Sequence, residues 1–99
     1  MSIQLLDLAR NDLLEGYRFY EQQESGLGDY FLDSLFSDID SLRLHAGIYR
    51  RVHRDLHRSL SKRFPFAIYY KMAGDRIQVH AIVDCRRNPA WIRRHLGGT

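Results

Sequence analysis

The sequence predicts an α+β fold: an antiparallel three- to four-stranded sheet packed by an N-terminal helical hairpin. The expected order is β-α-α-β-β-β with a short C-terminal helix. Three observations lead there. In the first half apolar residues recur at helical spacing, at positions 9, 13, 17 and 20 and again at 31, 35, 39 and 42. In the second half the pattern changes to aromatic and β-branched runs and to alternation, the signature of strands. Glycines stand where the pattern breaks. A chain of 99 residues, 44% hydrophobic and 27% charged, fits one globular domain covering residues 1–99.

Residues 2–6, "SIQLL", form a short apolar run suited to a strand. Asp7 then suits a helix N-cap, and behind it Ala9, Leu13, Tyr17 and Tyr20 mark one face of a helix of about four turns. Gly26 and Gly28 in "ESGLGD" stop that pattern and let the chain reverse. A second helix is expected from about Asp29 to His45, with Phe31, Leu35, Ile39 and Leu42 on one face and Leu32 and Phe36 widening it. Asp29 and Asp33 near its start, and Arg43 and His45 near its end, suit the helix dipole. Gly47 ends it. "RSLSKR" around Leu60 reads as a strand, and "FPFAIYYKM" as another, with Pro65 tolerable only near a strand start or an edge. "AGD" at 73–75 is a turn; "RIQVHAIVD" alternates, with Ile77, Val79, Ala81 and Val83 on one face. Asn88 as N-cap, Pro89 as first helical residue and Gly97 after Leu96 define the terminal helix. Short turns between sequential strands imply an antiparallel meander.

The net charge of +3 is divided along the chain: residues 1–41 carry −7 and residues 42–99 carry +10. Such asymmetry points to a partner with strong charge of its own. Thirteen of the fifteen cations are arginine, which favours bidentate contacts to carboxylate or phosphate. No apolar run approaches the roughly 18 residues of a membrane span, so no membrane partner is expected. The opening "MSIQLLDLARND" has no basic n-region and no extended apolar stretch, and the lone Cys85 builds no disulfide framework. A reducing, cytoplasmic location is the expectation.

Enzyme chemistry finds little support. There is no GxGxxG, P-loop, HExxH or nucleophile elbow, and no cofactor is expected. His53 and His57, four apart, could share a helix face as metal ligands, but they lack a third ligand and sit among arginines. His80 reads as exposed on a strand's polar face, His45 as a helix C-cap, and His95 has no evident partner. Cys85 reads as a small apolar residue at a strand end, and the acids of both helices as solvated. What remains is the arginine set: Arg50, Arg51, Arg54, Arg58, Arg63, Arg86, Arg87, Arg93 and Arg94. It reads as a basic surface of no specificity, as a binding face for nucleic acid or an acidic protein segment, or as transition-state stabilisers in RNA cleavage.

The run "YRRVHRDLHRSLSKRFPFAIYYKMAGDRIQVHAIVDCRRNPAW" resembles the second half of a ParE toxin of the RelE/ParE superfamily. The features are the "RFPFAIYY" strand, the "GDRIQVHAIV" strand and the "RRNPAW" segment. The first half agrees, with "ARNDLLEGYRFY" opening one helix and "FLDSLFSDIDSL" a second, so the likeness spans about residues 3 to 95. It implies the toxin of a type II toxin–antitoxin system, non-enzymatic, inhibiting DNA gyrase and neutralised by a ParD-like antitoxin. The RelE branch, a ribosome-dependent mRNA endoribonuclease, is the alternative. Arg86 could match the arginine of those nucleases, but Arg87, Asn88, Pro89 and Ala90 follow where a Tyr or His would stand. The resemblance makes Arg86, Arg87, Trp91, Arg93 and Arg94 the expected target-binding element, an aromatic anchor among arginines. No direct sequence-specific nucleic-acid contact is implied. The antitoxin is expected as an acidic and apolar segment over the hairpin and sheet, meeting Leu13, Tyr17, Tyr20, Arg50, Arg54, Arg58 and Arg63.

Overall fold

The computed structural model describes residues 1–97. Its elements run β1 (Ser2–Leu5), α1 (Asp7–Gln23), α2 (Leu27–Asp40), the single turn α3 (Leu42–His45), a 3-10 turn (Ala46–Ile48), β2 (Arg51–His53), β3 (Leu56–Leu60), β4 (Phe66–Ala73), β5 (Arg76–Asp84) and α4 (Pro89–His95). The strands form one sheet in the order β1-β5-β4-β3-β2. The meander is there in β2 to β5, but the sheet has five strands and is mixed. β1 lies parallel to β5, from Ser2 beside Arg76 to Leu5 beside Val79. Parallel neighbours need a long connection, and the whole chain between residues 6 and 75 supplies it.

The strand that sequence reading missed is β2. It pairs antiparallel with β3 through a two-residue turn, Arg54–Asp55, in which Arg54 takes φ 52°. As an edge strand it exposes Arg51 and Val52, so no buried alternation betrays it. His53 and His57 therefore sit on opposite arms of a hairpin, not on one helix face.

α1 begins at Asp7 itself; Leu6 is the residue before it and no side chain caps it. Gly26 makes the interhelical turn with φ 90°, whereas Gly28 lies inside α2 and serves close approach. A Cβ on Gly28 would stand 2.7 Å from the Tyr17 ring and 2.8 Å from its backbone oxygen; one on Gly16 would stand 2.5 Å from the Phe31 ring. The helices touch because both glycines lack that atom. α2 stops at Asp40, short of the expected His45. There the Ser41 hydroxyl donates to the Asp38 carbonyl at 2.6 Å, a local bond that competes with helix continuation. Phe36, expected to widen the apolar face, is exposed.

The sheet buries both faces, and a β-bulge decides which residues go where. Tyr70 pairs with Val79 while Tyr69 pairs with Ala81, leaving His80 as the extra residue. Ile77, Val79 and Ile82 consequently pack with Ala9, Leu13, Phe31 and Leu35 under the hairpin. Ala81 and Val83 turn to the opposite face, with Ala67, Tyr69 and Leu56. The expected single face of Ile77, Val79, Ala81 and Val83 is thus split at His80.

Candidate functional site

β1 covers β5 only as far as Val79, where the Leu6 amide donates to the Val79 carbonyl at 3.0 Å. Beyond that point the edge of β5 meets α1 instead of a strand. Asp12 fills the place: its Oδ2 accepts the Ile82 amide at 2.9 Å and its Oδ1 accepts from His95 Nε2 at 2.7 Å. Asp12 is only 6% exposed. Burial pushes its carboxyl above the ordinary value, against the lowering by the Ile82 amide and His95, with a further small rise from Glu15. The acid that read as solvated is a buried joint between α1, β5 and α4.

From that joint a stack runs along α4. His95 lies parallel to Trp91, ring centroids 4.6 Å apart at 13°. The Arg87 guanidinium lies over the Trp91 ring, 4.1 Å from its centroid, a cation–π contact. Residues 87, 91 and 95 follow one another four apart, so Trp91 is held between a cation and an imidazole. Trp91, Ile92 and Leu96 also pack on Ala81, Val83 and Tyr69. The caps are those the sequence predicts: Asn88 Oδ1 accepts the Ala90 amide at 2.8 Å, and Gly97 takes φ 82°. The bulge residue His80 is half-buried and donates from Nε2 to the Leu96 carbonyl at 3.2 Å, fastening the far end of α4.

Arg86 forks onto Asp84 with Nε at 3.0 Å and Nη2 at 2.8 Å, and holds that carboxyl below its usual range. Tyr20 lies nearby, its phenol raised chiefly by burial. Arg93 and Arg94 are exposed and carry no ion pair among the described residues. Between α1 and this corner opens a cleft of about 290 Å³, bounded by Glu15, Phe19, Phe66, Asp84, Arg87 and Trp91. The structure thus brings Arg86, Arg87 and Trp91 to one corner and leaves Arg93 and Arg94 on its solvent side.

The residues expected to meet an antitoxin divide. Leu13 is 3% exposed and belongs to the core, so it has no surface to share. Tyr17 is packed at Gly28, and Tyr20 is enclosed by Phe31, Phe64 and Phe66. The arginines are exposed. Arg50 and Arg58 border an open hollow of about 660 Å³ with Ile48, Tyr49, Val52 and Leu60. Ile48 and Leu60 are 73% and 60% exposed there. Arg54 tops the β2–β3 turn, and Arg63 lies apart, 6.0 Å from the Tyr30 ring centroid. Ile48, Val52 and Leu60 are the members that sequence reading missed. Their only signal is an apolar residue in a segment otherwise basic.

The other polar residues settle as follows. His57 Nδ1 lies 2.8 Å from the Tyr49 carbonyl and its ring stacks on Tyr70, whose phenol, pushed up to about 12 by burial, donates to the Ala46 carbonyl. His45 Nδ1 sits 3.2 Å from the Ser41 carbonyl, within its own helical turn. Cys85 lies one residue past β5 and is exposed, not packed at a strand end; partial burial nonetheless raises its thiol. Among the described residues no cluster of acids, cysteines or histidines could hold a metal ion. No described helix is long and apolar enough to cross a membrane.

No protein-family model matches this chain, and no curated protein matches it in sequence. A solved structure does match: a chain of the chromosomal ParDE TA system from P. aeruginosa, with a TM-score of 0.73 and 19% identity, over 85% of this chain and 95% of that one. At that identity the likeness is one of fold, and the hairpin packed on a mixed sheet is an architecture this chain has in common with a ParDE protein.

Proposed function

We propose that this chain is a ParE-like toxin of a type II toxin–antitoxin pair, inhibiting DNA gyrase without cutting nucleic acid and silenced by a ParD-like antitoxin. The observation that carries the reading is the β2 edge. An outermost strand lies there beside Ile48, Val52 and Leu60, all exposed and flanked by Arg50 and Arg58. The strand itself is short and irregular in register, as edges commonly are; what marks the place for a partner is the exposed apolar cluster beside it. An acidic and apolar segment of an antitoxin is chemically suited to it, adding backbone hydrogen bonds to β2 and carboxylates to the arginines. The hairpin also exposes Phe19, Tyr30 and Phe36, but its acidic surface makes it the poorer seat for an acidic partner, so this reading puts the contact on the sheet edge.

The gyrase half of the reading rests on the "RRNPAW" resemblance and on how the imidazoles are spent. His45, His57, His80 and His95 each have a ring nitrogen engaged by the protein itself, and the fifth, His53, has its Nε2 buried away from solvent without a partner among the described residues. A general base for 2′-hydroxyl attack must be able to reach that oxygen; His57, His80 and His95 are occupied with holding elements together, His45 bonds within its own turn, and His53 Nε2 is buried. Purified chain added to gyrase should block supercoiling or trap cleaved DNA. Truncated messages in a translation extract, with gyrase unaffected, would replace this reading with the ribonuclease one.

A further inference from the structure

We infer that the small gap between α2 and the β3–β4 loop is a site for a phosphate group, as hydrogen phosphate or a phosphomonoester. The inference does not depend on the toxin reading. The gap encloses about 130 Å³ and is lined by Ser34, Ser37, Asp38, Lys62 and Arg63. Its lining combines hydroxyl donors, two adjacent loop cations and one carboxylate. Ser34 is 5% exposed, and its Oγ is buried with no hydrogen-bond partner among the described residues. Buried hydroxyls ordinarily find a partner, so this one is a donor waiting for an acceptor.

The carboxylate narrows the ligand. Asp38 is 7% exposed, and its Oδ2 accepts the Ser61 hydroxyl at 2.6 Å and the Lys62 amide at 3.3 Å. Those bonds pin the loop and leave Oδ1 as an acceptor. A fully ionised anion such as sulfate would meet Asp38 as a like charge. A phosphate group can hold a proton where sulfate cannot: inorganic hydrogen phosphate keeps one at neutral pH, and a phosphomonoester, whose second dissociation falls at about 6, takes one up beside a carboxylate. That proton is donated to Asp38 while the other oxygens face Ser34, Lys62 and Arg63. Among the described residues Arg63 makes no ion pair and meets only the distant Tyr30 ring, 6.0 Å away, so it is available to turn inward. A metal cation fits less well, because two positive side chains line the mouth.

The test uses the whole chain, followed by amide NMR and thermal unfolding, with inorganic phosphate, sulfate at equal ionic strength, and a phosphoserine peptide. Phosphate should shift the amides of residues 61–64 saturably, and sulfate about tenfold more weakly, the worth of one charge-assisted hydrogen bond. Ser34→Ala should weaken phosphate by a similar factor while raising the melting temperature in phosphate-free buffer, because the unpaired hydroxyl is gone. Lys62→Ala with Arg63→Ala should abolish saturation. A peptide that binds more tightly than free phosphate identifies a protein-borne group; equal affinities identify the free ion. Equal shifts with sulfate would mean an adventitious ion only. A lower melting point for Ser34→Ala in phosphate-free buffer would mean that resident water already satisfies the hydroxyl; either result overturns the proposal.

Discussion

Asp12 is the residue on which the most geometry converges, and nothing local in "ARNDLLEG" separates it from the solvated acids around it. Its partners lie 70 and 83 residues away, so its role exists only after the fold does. His95→Ala should cost about 2 kcal/mol in urea unfolding, because a buried carboxylate then keeps the Ile82 amide alone. If that variant still inhibits gyrase once folded, the imidazole is a clasp and not a base. The pH dependence follows from sign. Burial raises the folded Asp12 carboxyl, so its contribution is fully present below the unfolded value of about 3.9 and is lost as pH rises through the folded one. Asp84 runs the other way: lowered by Arg86, it contributes above the unfolded value and loses that contribution as pH falls through the folded one. Asp12→Asn removes only the first effect. The stability difference, wild type minus variant, should therefore shrink as pH rises from about 4 toward neutrality. A difference that grew with pH would show that the pairing with His95 outweighs burial.

At the scale of elements, legibility tracks how local the cause is. The α4 caps were readable because Asn88, Pro89 and Gly97 act within one turn. The Gly26 reversal was readable for the same reason. The sequence pattern puts Gly28 in that turn too, yet its reason is the Tyr17 backbone two turns back along the hairpin. Substitution separates the two roles. Gly28→Ala should destabilise by roughly 2–3 kcal/mol, since the new methyl meets a carbonyl oxygen that only a shift of α1 can move. Gly26→Ala meets no atom within 4 Å and should cost only about 1 kcal/mol for its positive φ. Urea midpoints that ranked the pair in reverse would locate the strain in the turn. The bulge was illegible because register belongs to a pair of strands; β5 alone shows only that the apolar run Ala81-Ile82-Val83 breaks its alternation. β2 was illegible for the opposite reason, having almost no buried side chain to pattern it.

Over the whole molecule the charge division becomes spatial: the acidic half is the hairpin and the basic half is the sheet edge with the α4 corner. The division was legible as a count, but its two basic surfaces were not, since their apolar members come from the 3-10 turn, β2 and β3 together. If the β2 edge holds an acidic antitoxin and the corner meets gyrase, the surfaces can be disabled one at a time. Arg93→Ala with Arg94→Ala removes two exposed cations that make no ion pair among the described residues. Stability should stay within about 0.5 kcal/mol, as for surface changes away from packed features. Gyrase inhibition should fall, most at low salt, where unscreened charge speeds and orients encounter, while antitoxin affinity holds. Arg50→Glu with Arg58→Glu should do the reverse, weakening antitoxin through like-charge contact and leaving the purified toxin as potent as before. Trp91→Ala is the poorer probe of the corner: it strips packing from Ala81, Val83 and Tyr69 and costs roughly 3 kcal/mol or more, so lost inhibition would report unfolding. Should the corner variant inhibit undiminished while the edge variant fails on gyrase, toxin and antitoxin would be competing for the edge, and neutralisation would be direct occlusion of the target surface.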